Sequence, residues 1–177
     1  MRVENLNRVK VEKMLDDVIE HKKYVLDVCH VFGKFLIKSG FCDIGLELIK
    51  RAIVHDNSKL DEDEFIRLAM ILKSDECFKN ADYELSDVEI SAIKHHWEHN
   101  SHHPEYHKSY LDMTELDIME MVCDWFARSL QYGTNFLQFV TERQKDRFKF
   151  PEDMFIRILN LCIVVQEVYK NNGYDAY

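Results

Sequence analysis

Apolar side chains recur near the start of the chain at alternating steps of four and three: Met14, Val18, His21, Val25, Val28, Phe32 and Phe35. That spacing lines one face of an α-helix. It predicts a helix from about Asn5 to Lys38, closed by Ser39-Gly40, where glycine suits a left-handed C-cap. One position in the stripe is a histidine, His21. A second helix is expected from about Asp43 to Val54, with Ile44, Leu48, Ile49, Ala52 and Ile53 inward. It ends at His55-Asp56, followed by the turn residues Asn57 and Ser58. A third is expected from about Asp61 to Lys73, with acidic residues in its first turn to favour the helix dipole. Residues 74–85 read as a polar connection and a mobile flap.

Ser86 with Glu89 forms a capping box for a fourth helix through about Asn100, stopped by Pro104. Thr114 with Glu115 and Asp117 opens a fifth, to Tyr132, and Gly133 closes it. A sixth is expected from Thr134 to about Lys145. A seventh starts with Pro151 at its N1 position and runs to about Asn171, with Phe155, Ile158, Leu159, Cys162, Val165 and Val168 as its core face. The last residues, 172–177, read as a frayed tail. The whole is an all-α bundle of six or seven helices, a single domain over 1–177.

Composition agrees with helices. The 177 residues include only 5 Gly and 2 Pro, too few for the many turns of an all-β protein. Hydrophobic residues at 46% suffice for a core. With 23 Lys+Arg against 32 Asp+Glu, the formal charge is −9. That is a poor basis for gripping long nucleic acid. No apolar stretch reaches the roughly 20 residues of a membrane span. The start, MRVENLNRVKVEK, has no apolar core and does not read as a signal peptide. Five scattered cysteines without a CxxC suggest reduced, mostly buried thiols in a cytoplasmic protein.

The 9 histidines change the picture, because five lie between His95 and His103. His55 and Asp56 are adjacent and can meet one metal ion only if the backbone bends between them; alternatively they cap a helix end. His21 is a ligand or a satisfied core residue. Asp124, in MEMVCDWFA, sits in an apolar segment where an unpaired carboxylate would lose several kcal/mol. It needs a metal or a cation, and Arg128 one turn on offers a helical salt bridge. The run HHWEHNSHHPE packs groups that titrate near neutrality. A metal would hold them neutral, and a solvated face could take some of them. His30 and His107 read as ordinary.

Together the order His, His-Asp, His, His, Asp resembles the HD-domain metal-dependent phosphohydrolases, over about Glu20 to Gln131. The resemblance implies an HD-like helical bundle, with a metal-site core at about 14–132 and helices 134–171 packed on it. It implies His21, His55, Asp56 and Asp124 as the ligands of one metal, and the intervening histidines as the extra ligands of two-metal members. Of these, His96 and His103 are taken as ligands. HDNSK matches the His-Asp-x-x-Lys run of several HD families, so Lys59 is the expected phosphate contact. Asp56, Lys59 and His102 are the expected catalytic residues, and Lys59, Asn100, His102 and Arg128 the expected substrate contacts. More closely, HDNSK, HHxxHNSHHPE and EMVCDW are similar to a small phage and bacterial family of unknown function.

Mixed imidazole and carboxylate donors suit one or two ions of Mn, Fe, Co, Ni or Zn. The expected activity is hydrolysis of a small phosphoester, a nucleotide or nucleotide-derived signal, in the cytoplasm or in a host cytoplasm if phage-encoded. No membrane partner is expected, and a homodimer is left open. Two alternatives stand beside it: a di-iron HD-fold oxygenase, and a metal-containing ligand-binding module without turnover.

Overall fold

A computed structural model describes residues 8–71 and 87–172. The architecture is all-α, with no strand among the described residues. In chain order the helices are α1 (Arg8–Lys38), α2 (Cys42–Val54), α3 (Glu62–Ile71), α4 (Asp87–His99), α5 (Glu115–Tyr132), α6 (Phe136–Phe139), α7 (Lys145–Phe148) and α8 (Glu152–Asn172). Short 3-10 turns follow α2 at Asn57–Leu60 and lie between α4 and α5 at Pro104–Tyr106 and Tyr110–Asp112. The expected flap at 74–85, the Ser86 half of the capping box and the tail at 173–177 lie outside the described residues.

The stripe on α1 is buried from Met14 through Phe32. It fails at its last member: Phe35 is 37% exposed, and Leu36 is buried in its place. A strict seven-residue repeat drifts around a straight helix of 3.6 residues per turn, so the inward position shifts by one at the far end. In α2, Leu48 and Ala52 are buried as expected, whereas Ile53 is 62% exposed. The main core joins α1, α2, α5 and α8 through Val25, Phe32, Leu48, Met121, Val122, Ile158 and Val165. The predicted sixth helix is a continuous helical run from Phe136 to Phe148, crossed by a π turn at Val140–Gln144 between α6 and α7. Pro151 precedes α8 rather than entering it, and its carbonyl accepts the Phe155 amide at 2.8 Å. The fifth helix begins as predicted: the Thr114 side chain accepts from the Asp117 amide, and Asp117 returns a bond to the Thr114 amide.

The α1–α2 crossing depends on two glycines that face each other. A Cβ on Gly33 would meet Ile49 Cγ1 at 2.6 Å and the Gly45 carbonyl at 2.8 Å; one on Gly45 would meet the Gly33 carbonyl at 2.5 Å. Such backbone contact leaves no room for a methyl group without separating the helices. This close antiparallel pair runs twelve residues back from Gly33 to His21 and ten forward from Gly45 to His55, which brings the two histidines level. Gly45→Ala is therefore expected to destabilise the protein by about 1–3 kcal/mol, as overpacking does, read as a lowered thermal midpoint. An unchanged midpoint would mean that the crossing is looser than described.

Candidate metal centre

Six polar side chains from three helices and two connecting segments are buried side by side. His21 comes from α1 and Asp124 from α5. His55 and Asp56 follow α2, His96 lies on α4, and His102 sits in the segment beyond α4. All six are shielded from solvent, so each polar atom needs a partner to offset its burial.

The bend required of His55-Asp56 is present. His55 has extended geometry (φ −49°, ψ 130°), and Asp56 is left-handed (φ 54°, ψ 25°). Positive φ is uncommon outside glycine, and Asp is one of the residues that tolerates it. The reversal turns both side chains to the same side. Lys22, next to His21, holds the kink by donating to the His55 carbonyl and to Asn57 Oδ1. A second turn does the same for the later histidines. α4 ends at His99, and the chain folds back through a His103 amide bond to the Asn100 carbonyl at 3.1 Å. Ser101 Oγ donates to Asp117 at 2.7 Å, and His107 Nε2 bonds the Ser101 carbonyl at 2.8 Å. His102 and His103 thereby face His96.

The donor atoms fall into overlapping groups. His21, His55 and Asp56 form one; Asp56, His96, His102 and His103 form another; His55, His102 and Asp124 form a third. Within each group the ligand atoms lie within 4.8 Å of one another. His21 Nε2 is 2.8 Å from Asp124 Oδ1, and His55 Nε2 is 3.5 Å from Asp56 Oδ2 and 3.8 Å from Asp124 Oδ1. His96 Nε2 and His102 Nε2 are each 3.4 Å from Asp56 Oδ1, and His96 Nε2 is 2.9 Å from His103 Nε2. His21 Nε2, His55 Nε2, Asp56 Oδ1 and His102 Nε2 are buried without an aligned hydrogen-bond partner. Four orphaned atoms that converge on one another are what a cation would satisfy. The cluster could thus hold a metal ion.

The electrostatics agree. Burial lowers His21 and His102 to about 4 and His103 well below its ordinary value, so these imidazoles are neutral and free to donate lone pairs. Burial would lower His55 too, but Asp56, Asp124 and Glu120 overcome it and raise His55 to about 10. Without metal, one proton on His55 balances the carboxylates. Asp56 and Asp124 are held well below the usual carboxylate range despite burial, Asp56 by His55 and Lys59, Asp124 by His21 and His55.

The sequence matches, over residues 10–160, a family described only as of unknown function, DUF5662. The chain belongs to that family. No curated protein and no solved structure matches the chain. The DUF5662 span takes in His21, His55, Asp56, Lys59, the 95–103 histidines and Asp124.

All six residues named as ligands from sequence come together in this DUF5662 member, and the expected substrate contacts His102, Asn100 and Arg128 have partners within the chain. His102, expected at the substrate, is one of the buried donors. Asn100 is turned inward and is occupied: its amide donates to Ser58 Oγ at 2.8 Å and to the His96 carbonyl at 2.7 Å. Arg128 is engaged with Asp17 at 3.6 Å, Gln131 at 3.1 Å and Tyr132 at 3.3 Å, rather than with Asp124 or an open cleft. His95 and His99 stand apart: their rings stack at 4.0 Å, and His99 bonds the His95 carbonyl at 2.7 Å. Lys59 lies beside the donor cluster, with Nζ 2.5 Å from Asp56 Oδ2. Sequence reasoning missed Glu64 and Glu120, which lie behind the histidines. Glu64 is 0% exposed, and its Oε2 meets His95 Nδ1 at 2.8 Å while Oε1 faces His96 Nδ1 at 3.0 Å. Their only sequence signal was an acidic residue in a half-apolar helix, which is too common to single out.

These shifts predict a pH profile for the metal-free protein. His21 and His102 lie below their unfolded value of about 6.5, so the unfolded chain binds more protons and stability falls as pH drops from about 6.5 toward 4. His55 lies above it, so its contribution is complete below about 6.5 and is lost as pH rises toward about 10. A thermal midpoint measured in chelator should peak near neutrality and fall on both sides. Metal should remove the alkaline fall, because it takes the place of the His55 proton. A flat profile in chelator from pH 5 to 9 would contradict the described burial.

Proposed function

We propose that the chain is an HD-type metal-dependent phosphohydrolase acting on a small phosphoester, a nucleotide or nucleotide-derived signal. The observation that carries this reading is the position of Asp56. Its Oδ1 faces His96 and His102, while its Oδ2 faces His55 and the ammonium of Lys59. Asp56 therefore stands between His21 and His55 on one side and His96, His102 and His103 on the other, within donor groups that overlap, with a lysine at their margin.

His21, His55, Asp56 and Asp124 would hold one ion, and Asp56, His96, His102 and His103 a second. The imidazole-rich set suits Mn, Fe, Co, Ni or Zn. A bound ion of this kind supplies Lewis acidity toward a phosphoryl oxygen and lowers the pKa of water toward about 7. Lys59 places a fixed positive charge beside the donors, where a phosphoryl oxygen would gain from it. Asp56 would orient the attacking water or accept its proton. The protein's net charge of −9 disfavours long nucleic acid and is compatible with a small ligand drawn to local cations.

The test is a screen of nucleotides, cyclic nucleotides and simple phosphoesters with Mn²⁺-loaded protein under anaerobic conditions. Release of phosphate or opening of a cyclic ester is expected, and Lys59→Gln should lower it at least tenfold. Turnover that requires O₂ would select the oxygenase. Tight nucleotide binding with no product after long incubation would select a binding module.

A further inference from the structure

Each imidazole of the centre has two nitrogens, and the outward one is decided by what the inner one meets. His55 Nδ1 lies 2.9 Å from Glu120 Oε1, and the same oxygen lies 3.5 Å from His102 Nδ1. His96 Nδ1 faces Glu64 Oε1 at 3.0 Å. In all three the Nε2 atom points toward Asp56. The two carboxylates come from different elements and are anchored differently. Glu120 lies on α5, and Arg51 of α2 braces it: the guanidinium is 3.5 Å from Glu120 Oε2 and 2.6 Å from Asp117 Oδ1. Asp117 also accepts from Ser101, immediately before His102. Glu64 lies on α3, and its other oxygen goes to His95, outside the donor groups.

We infer that Glu120 is a shared positioning residue that makes the two cation positions interdependent, whereas Glu64 serves the second position alone. The inference rests on the two-ion reading of the site. Its geometric basis is that Glu120 touches one histidine of each group, His55 of the first and His102 of the second, through a single oxygen. Of the imidazoles in the donor groups Glu64 meets His96, and its other oxygen goes to His95 outside them. A carboxylate oxygen beside Nδ1 is placed to accept an Nδ1–H, which leaves Nε2 toward a cation.

Glutamine keeps the shape of either residue but removes the charge. Chelator-stripped, full-length protein is titrated with Mn²⁺, with bound metal counted by elemental analysis and heat of binding. Wild type should take two ions. Glu64→Gln should leave one at wild-type affinity and weaken the other by on the order of ten- to a hundredfold, the usual effect of losing an outer partner of a histidine ligand. Glu120→Gln should weaken both by a similar factor. Two ions at wild-type affinity in Glu120→Gln, or loss of one ion only, would overturn the inference. Wild type that binds no Mn²⁺, Fe²⁺, Co²⁺, Ni²⁺ or Zn²⁺ would overturn the metal reading itself, a distinguishable failure. A second measurement needs no variant. In Zn²⁺-loaded, ¹⁵N-histidine-labelled wild type, His55, His96 and His102 should each show a protonated Nδ1 and a metal-shifted Nε2. Metal on Nδ1 of His55 or His102 would also overturn the inference, and a merely structural role for Glu120 predicts no such pattern.

Discussion

Asp56→Asn should reduce hydrolysis by on the order of a thousandfold or more, about 4 kcal/mol of lost transition-state stabilisation, and should strip both donor groups of metal. The size of the effect follows from position. Asp56 presents both carboxylate oxygens to the cluster, with Oδ1 toward His96 and His102 and Oδ2 toward His55 and Lys59. Asparagine is the informative replacement. It tolerates the left-handed backbone that Asp56 adopts at φ 54°, so the bend after α2 survives. Any loss then reports the charge rather than the kink. Phosphate release on the best substrate of the screen, with metal content of the same preparation, checks it. Full activity in Asp56→Asn would remove the residue from the centre.

Removal of metal is the second large effect expected. With ions at a hundred times their dissociation constant, binding adds about 2.7 kcal/mol to stability for each site. In a chain of this length about 1 kcal/mol moves the thermal midpoint by roughly 2–4 °C. Chelation should therefore lower the midpoint by about 5–10 °C per ion, reversibly. The physical cause is local. Without a cation, His21 Nε2, His55 Nε2, Asp56 Oδ1 and His102 Nε2 are buried polar atoms lacking aligned partners. Their burial cost is borne by the rest of the core. Calorimetry with chelator, and again after addition of Mn²⁺ or Zn²⁺, reads it directly. Identical midpoints in both would mean that the cluster is satisfied without metal.

Much of this protein could be read from residue spacing, and the failures have particular causes. The helices follow from periodicity and punctuation: the α1 stripe through Phe32, the Gly133 stop (φ 62°) and the Thr114 start of α5 stand where expected. The candidate ligand residues were visible because histidine and aspartate are out of place on apolar helices. His102 and Asn100 were both expected at the substrate, and spacing could not show the chain reversal that sets His102 among the donors and Asn100 against Ser58 and the His96 carbonyl. Once α4 ends at His99, the helical angle no longer says where a side chain points. Glu64, Glu120 and Arg51 were invisible because their partners are distant in sequence: 31 residues separate Glu64 from His95, and 65 separate His55 from Glu120. The Gly33–Gly45 contact was missed for the same reason, since neither glycine stops a helix and each matters only to the other.

The central claim is that His21, His55, Asp56, His96, His102, His103 and Asp124 form a metal centre. Elemental analysis of wild-type and Asp56→Asn protein, purified side by side without chelator, tests it most directly. Wild type should carry one to two equivalents of a transition metal per chain, and Asp56→Asn less than a tenth of that with its helical content unchanged. Equal metal in the two proteins, or none in wild type even after incubation with Mn²⁺, Fe²⁺, Co²⁺, Ni²⁺ and Zn²⁺, would contradict it.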